Sequence, residues 1–348
     1  LFIHFRRLRI NKRKEFTMKS PFTGGEALLR KEWAQQTFRG DTFDIYRHYY
    51  VCADTQEEFS TRELDELNIA QVHNQYRALH HIPFPEEITE IREMYGLSAA
   101  RMSEILDFGI NSYRKYELGE IPSLANAKLI RLARKPDTFK GFVEEKKEMF
   151  SDKAYQKLED CLKQLLQEEG LPDIVGYIWN HHMEANRFTG YVKPNFEKVA
   201  NFIMFFAKRC EPLKTRMNKL LFYCDFYHYK KTGLAISGCN YRAIQMGPVP
   251  SHFHELFGIL ESEGYVKIEE KLFDHGGVGE QFFAEKDINE AFFSSEELAS
   301  MEEIATHFEE IRTRQMISLS HEETAWKENE DSRQLIDYQQ YAFDLKAL

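Results

Sequence analysis

The 348-residue chain predicts a mostly helical α+β protein. Three observations carry that prediction. From residue 60 onward apolar residues recur at spacings of three and four, the period of amphipathic helices. Residues 18–60 depart from it. There Phe43, Ile45 and Tyr49–Val51 are strand formers set among the turn signals Gly24-Gly25 and Arg39-Gly40-Asp41. Late in the chain, Tyr241–Met246 reads as a strand, and Tyr265–Phe273 with Glu280–Ala284 reads as a hairpin about Gly276–Gly279.

Taken in order, residues 1–17 are basic and partly apolar but lack the long apolar core and cleavage site of a signal peptide. Met18 looks like a natural start, so 1–17 are expected to be a non-native or disordered extension. Residues 18–60 are expected to form a small β-rich domain. Ser60–His81 predicts a connecting helix capped by Thr61, and Pro83 and Pro85 end it. Residues 61–138 then predict a run of short helices. Ile88, Ile91 and Met94 line one; Ser98 caps the next, with Met102, Ile105 and Leu106 inward; Ile110–Leu118 is the third; Leu124, Leu129, Ile130 and Leu132 line a fourth. Residues 139–193 are highly charged, with Tyr155, Leu158, Leu162 and Leu165 on one stripe. That stripe fits a solvated linker helix or a dimer seam, and its shortness favours the linker; Gly170 and Pro172 break it.

Residues 194–348 are organised around Lys214–Pro250. Leu213, Met217, Leu220, Leu221 and Cys224 make one apolar helical face, and Phe222, Phe226 and Tyr229 a second. A helix apolar on two sides is either buried or meets a partner. Gly233 is placed to end it in the left-handed conformation. Gly247-Pro248-Val249-Pro250 is expected to be a rigid bend, with Ser251 capping the next helix. Ser294 with Glu297, and Ser320 with Glu323, fit capping boxes. Tyr338, Tyr341 and Phe343 are expected to pack back on this domain.

Composition excludes some functions. A net charge of −10 argues against broad, sequence-independent nucleic-acid binding, while leaving room for one small DNA-reading module. The aromatic content, 14%, is high enough to furnish a partner surface as well as cores. The five cysteines are scattered and never form CxxC, the pattern of a reducing cytosol, so a cytoplasmic location is expected. No apolar run is long enough to span a bilayer, and no membrane association is expected.

Candidate chemistry is sparse. His252, His254 and Glu255 lack the spacing of a metal site. Cys224 lies one turn from His228 but on the apolar stripe, which fits a small buried hydrophobe. His321 beside Glu322 fits a structural hydrogen bond better than a general base. There is no phosphate-binding glycine loop and no nucleophile elbow. The reading is therefore of a non-enzyme with no catalytic residues, no metal and no cofactor.

Three resemblances add to this. Lys219–Phe226, the KKTG turn at Lys230–Gly233, Tyr241, the GPVP at Gly247–Pro250, and the later Ser320, His321, Glu323 and Trp326 together resemble the Panacea domain, the neutralising module of a family of antitoxins. Gly96, Leu97, Ser98, Leu106, Gly109, Tyr116, Glu117 and Gly119 resemble a phage-repressor type of helix-turn-helix. Residues 18–60 resemble a zinc ribbon whose ligand positions hold Ser20, Thr23, Cys52 and Thr55, so it has lost its metal.

What the resemblances imply is an antitoxin of a toxin–antitoxin pair. It would bind a cognate toxin protein through the C-terminal domain, and bind operator DNA as a homodimer to repress its own operon. The toxin-binding candidates are Tyr223, Asp225, Phe226, Tyr227, Tyr241, Pro248, Pro250 and His321; the same residue types also build cores, and the sequence leaves both readings open. The DNA-binding candidates are Ser98, Asn111, Ser112, Arg114 and Lys115. The balanced charge of residues 86–135 leaves a retained fold used for dimerisation as the alternative. A transcription regulator with a sensing C-terminal domain, and a proteolytic adaptor, are the other function classes.

Overall fold

The computed structural model describes residues 18–168, 184–273 and 276–348. The chain is α+β and mostly helical, and its described residues form three small antiparallel sheets. It divides into two compact units, Leu1–Val72 and His73–Leu348. The basic stretch 1–17 and the breakers Gly170 and Pro172 lie outside the described residues.

In the first unit β1 (Met18–Lys19), β2 (Glu26–Phe38), β3 (Asp41–Cys52) and β4 (Glu58–Phe59) form one sheet in chain order. β2 and β3 pair from Ala27↔Cys52 to Phe38↔Asp41. They are joined by Arg39-Gly40, both at positive φ (50° and 97°), the turn whose twist suits a two-residue hairpin. Helix α1 (Arg62–Leu79) lays side-chain amides along β3. Asn68 accepts from the His48 N–H and donates to its carbonyl, both at 2.9 Å. Gln71 does the same at Tyr46, at 2.8 and 3.0 Å. Two amides thus stand in for a neighbouring strand on the outer edge of β3.

The four positions marked by the ribbon resemblance converge. Ser20, Thr55 and Thr23 hydrogen-bond the Cys52 thiol, and those hydroxyls, Ser20 foremost, together with the Thr55 N–H draw it down to about 6. One thiol and three hydroxyls are a poor donor set for zinc.

In the second unit, α2 (Pro85–Met94), α3 (Ala99–Ile105), α4 (Ser112–Glu117), α5 (Leu124–Ala133), α6 (Pro136–Glu145) and α7 (Asp152–Glu168) enclose one apolar core. Tyr95 stacks on Phe139 at 4.0 Å and donates to the Ala133 carbonyl at 2.7 Å. Tyr113 donates to the Ile88 carbonyl at 2.8 Å. Leu158 and Leu162 of α7 belong to this core. The apolar stripe of α7 is therefore packed within the chain, with Tyr155 and Leu165 against the same core.

The remaining elements gather on α9 (Lys214–Thr232). They are α8 (Phe196–Cys210), α10 (Phe253–Ser262), α11 (Ser295–Phe308), α12 (Thr313–Glu322), α13 (Thr324–Lys327), α14 (Tyr338–Tyr341), and the pairs β5/β6 (Tyr241–Ile244, Gly247–Pro250) and β7/β8 (Val266–Leu272, Val278–Ala284). Both apolar faces of α9 are buried, and Gly233 ends it at φ 79°, donating to the Tyr229 carbonyl at 2.7 Å. Tyr338 stacks on Phe226 at 4.1 Å, so the C-terminal aromatics close this core.

Three local expectations are corrected. Gly247–Pro250 is a strand paired with β5, and the bend is Gln245-Met246. Pro248 and Pro250 are two apart, so their missing N–H groups share one edge of the strand, where no pairing is lost. Ser251 does not cap α10; His252, at φ 56°, precedes the helix, and the Ser251 hydroxyl is buried without a partner among the described residues. Ser320 lies inside α12 and donates to the Ile317 carbonyl at 2.8 Å, so it opens no capping box with Glu323. The box at Ser294 and Glu297 does form.

Candidate partner-binding surface

α9 presents the candidates at helical spacing, but its surroundings give them different fates. Tyr223, Asp225 and Phe226 have no exposed surface, and neither does Tyr241 on β5. Asp225 accepts from the N–H groups of Ile236 (2.9 Å) and Ser237 (2.8 Å), the Ser237 hydroxyl (2.5 Å) and the Tyr241 hydroxyl (2.6 Å). Burial nevertheless raises its pKa, with those donors working the other way. Tyr223 donates to Glu323 at 3.3 Å, and burial pushes its phenol up. Pro248 and Pro250 are buried in β6.

Beneath the hairpin lies Lys219. Its ammonium is buried, donates to the Pro248 carbonyl at 2.9 Å, and burial draws it down to about 7. The backbone passes so close that a Cβ on Gly247 (φ 95°) would sit 2.4 Å from the Ser320 hydroxyl and 2.7 Å from Lys219 Nζ. Only glycine fits there.

At the hairpin tip these buried groups support a half-open apolar patch. His321 stacks on Trp326 at 4.0 Å, with the rings 16° from parallel. Trp326 Nε1 donates to the Ile244 carbonyl at 2.8 Å, which binds the indole to the last residue of β5. Met246, in the turn, is 47% exposed. His321 Nε2 is buried and finds no partner among the described residues, contrary to the structural hydrogen bond expected of it. Trp and Met are residue types enriched at protein interfaces. Sequence reasoning missed Ile244 and Met246 and placed Trp326 only within a motif. The signal was present: a strand, two residues and a second strand make a hairpin tip.

Tyr227 is separate. It donates to Glu303 of α11 at 2.5 Å, and Lys231 lies 3.3 Å from the same carboxylate.

The other candidates cluster about α3 and α4, which pack together. The Ser98 hydroxyl caps α3, accepting from the Arg101 N–H at 3.2 Å. Asn111 precedes α4 at φ 64°, Tyr113 and Tyr116 turn inward, and Arg114 and Lys115 turn outward. Ser112 is half-buried. Lys115 is 4.0 Å from Glu120, an exposed and weak pair. Ile110 and Leu118, which flank α4, are 92% and 78% exposed.

Among the described residues no group of three or more His, Cys, Asp or Glu side chains is arranged to hold a metal ion. None of the described helices is long and apolar enough to cross a membrane.

The model of a family described as antitoxin SocA-like, Panacea domain, matches residues 217–327. That span holds α9 from Met217 onward, the β5/β6 hairpin and the His321–Trp326 stack. No curated protein and no solved structure matches the chain. The matched family supports an antitoxin role in general terms and is not a family of enzymes.

Proposed function

We propose that this chain is an antitoxin that neutralises a cognate toxin by direct contact at the β5/β6 hairpin tip. The observation that carries the reading is the coincidence of the family match, residues 217–327, with a half-exposed Trp–His–Met patch on a rigid support. Aromatic anchors held by buried neighbours bind with little loss of side-chain freedom. Met246, Ile244, His321 and Trp326 make the contact. Tyr223, Asp225, Phe226, Tyr241, Pro248 and Pro250 position them from below. Tyr227, held by Glu303 of α11 beside Lys231, contributes a second and weaker contact.

In the same proposal the helices α3 and α4 act as a helix-turn-helix that recognises operator DNA as a homodimer, with Arg114 and Lys115 on phosphates or base edges and Asn111, Ser112 and Ser98 flanking them. The exposed basic pair beside inward tyrosines supports it.

Co-expression tests the toxin reading. The protein encoded by the adjacent reading frame is expected to arrest growth alone and to be harmless when this chain is present. An adjacent frame that is harmless alone, or still toxic with this chain, overturns it.

A further inference from the structure

One long strand edge stays open in the β-rich unit. β2 pairs with β3 residue for residue from Ala27 to Phe38, without a bulge. β1 covers its other edge only at Glu26 and Ala27. From Leu28 to Phe38 no strand lies against that edge among the described residues. The far edge of the sheet is covered. There β4 takes Tyr50 and Val51 of β3, and the amides of Asn68 and Gln71 take His48 and Tyr46. Those amide contacts fix which β2 groups face outward. Tyr46 turns its N–H and C=O away from β2, so Trp33, directly opposite, turns its own away from β3. By alternation Leu29, Gln35 and Thr37 face outward too.

Proteins ordinarily blunt an open edge with a proline, a bulge or a short strand, because unused N–H and C=O groups recruit another strand. β2 has none of these devices in 13 residues. Its open edge is centred on Trp33, which is 52% exposed and rests against Tyr46 at 5.3 Å. Glu32, Gln35, Gln36 and Thr37 around it are exposed as well. Trp is a residue type enriched at protein interfaces.

We propose that this edge pairs, antiparallel, with the same edge of a second copy of this chain, about a two-fold axis at Trp33. Self-complementarity selects a second copy over an unrelated strand. Trp33 is both the midpoint of the open edge and an outward-facing residue. A two-fold there sets Leu28 opposite Phe38 and uses the edge to both ends, stopping where β1 begins. In that register Glu32 faces Ala34, Lys31 faces Gln35 and Arg30 faces Gln36, so no like charges meet. An axis at Lys31 or Glu32 sets that charge opposite itself and shortens the pairing. The two sheets become one, with the two indoles side by side on one face. This pairing is independent of toxin and operator binding.

Full-length protein is followed by sedimentation over a dilution series. Wild type is expected to be a dimer that dissociates on dilution. Gln35→Pro removes an outward N–H that β3 does not use, so the monomer keeps its sheet while dimerisation weakens at least tenfold. Trp33→Lys and Trp33→Glu each set like charges across the axis and are expected to be monomeric alone. An equimolar mixture of the two is expected to dimerise, because opposite charges then meet. All three variants are expected to melt within about 3 °C of wild type. A wild type that is monomeric throughout overturns the proposal. So does a dimer that none of the variants weakens, or a charge-swapped mixture that stays monomeric. A monomeric wild type that binds the product of the adjacent reading frame, and loses it in Gln35→Pro, overturns it too and gives the edge to another protein's strand.

Discussion

Asp225 is a carboxylate with no exposed surface, and its four donors decide its role. It ties the 234–240 loop and the first residue of β5 to α9. Asp225→Ala would strand two N–H groups and two hydroxyls in the core. We expect a loss of about 3–5 kcal/mol in urea unfolding, and a loss below about 1 kcal/mol would contradict this role. Lys219 gives a pH signature. Its folded-state pKa of about 7 lies below the ordinary 10.5. Below pH 7 both states carry the charge, and the folded state bears the full desolvation penalty. Between 7 and 10.5 the unfolded chain holds more protons, so the penalty is relieved as pH rises. Lys219→Met removes the penalty, so the variant's stability relative to wild type is expected to fall from pH 7 to pH 10. Paired melts that show a constant difference across that range would contradict a charge buried beneath Pro248.

The proposed binding surfaces belong to elements. The β5/β6 tip is held from below by Lys219 and from the side by Trp326, so a change at exposed Met246 alters the surface without loosening the support. Met246→Asp is expected to weaken partner binding at least tenfold, about 1.4 kcal/mol or more, with Tm unchanged within about 2 °C. On α4, Arg114→Ala and Lys115→Ala are expected to weaken a promoter gel shift and flatten its salt dependence. An unaltered shift in both would remove α4 from the DNA surface. Elements were also where the sequence was most readable. The two apolar faces of α9 and its Gly233 stop follow from helical periodicity and glycine's conformational freedom. The strand at Gly247–Pro250 was hidden because two prolines argue against pairing unless their missing N–H groups share one edge, and only the partner strand reveals that. Ser320 mimicked a cap because Ser-x-x-Glu occurs inside helices as well as at their starts.

At the scale of the whole molecule, the chain joins a β-rich N-terminal unit to a helical unit that carries the proposed toxin and operator surfaces. The α+β, mostly helical class was legible from periodicity. The candidate site was legible only in part. Burial is a property of the assembled fold, so Tyr223, Asp225, Phe226 and Tyr241 read equally well as contacts and as core. The central claim is that the β5/β6 tip grips a toxin. Its most direct test is the affinity of purified full-length wild type, Met246→Asp and Arg114→Ala for the product of the adjacent reading frame. The expected result is tight binding by wild type and Arg114→Ala, with Met246→Asp at least tenfold weaker; equal affinity of all three would contradict it.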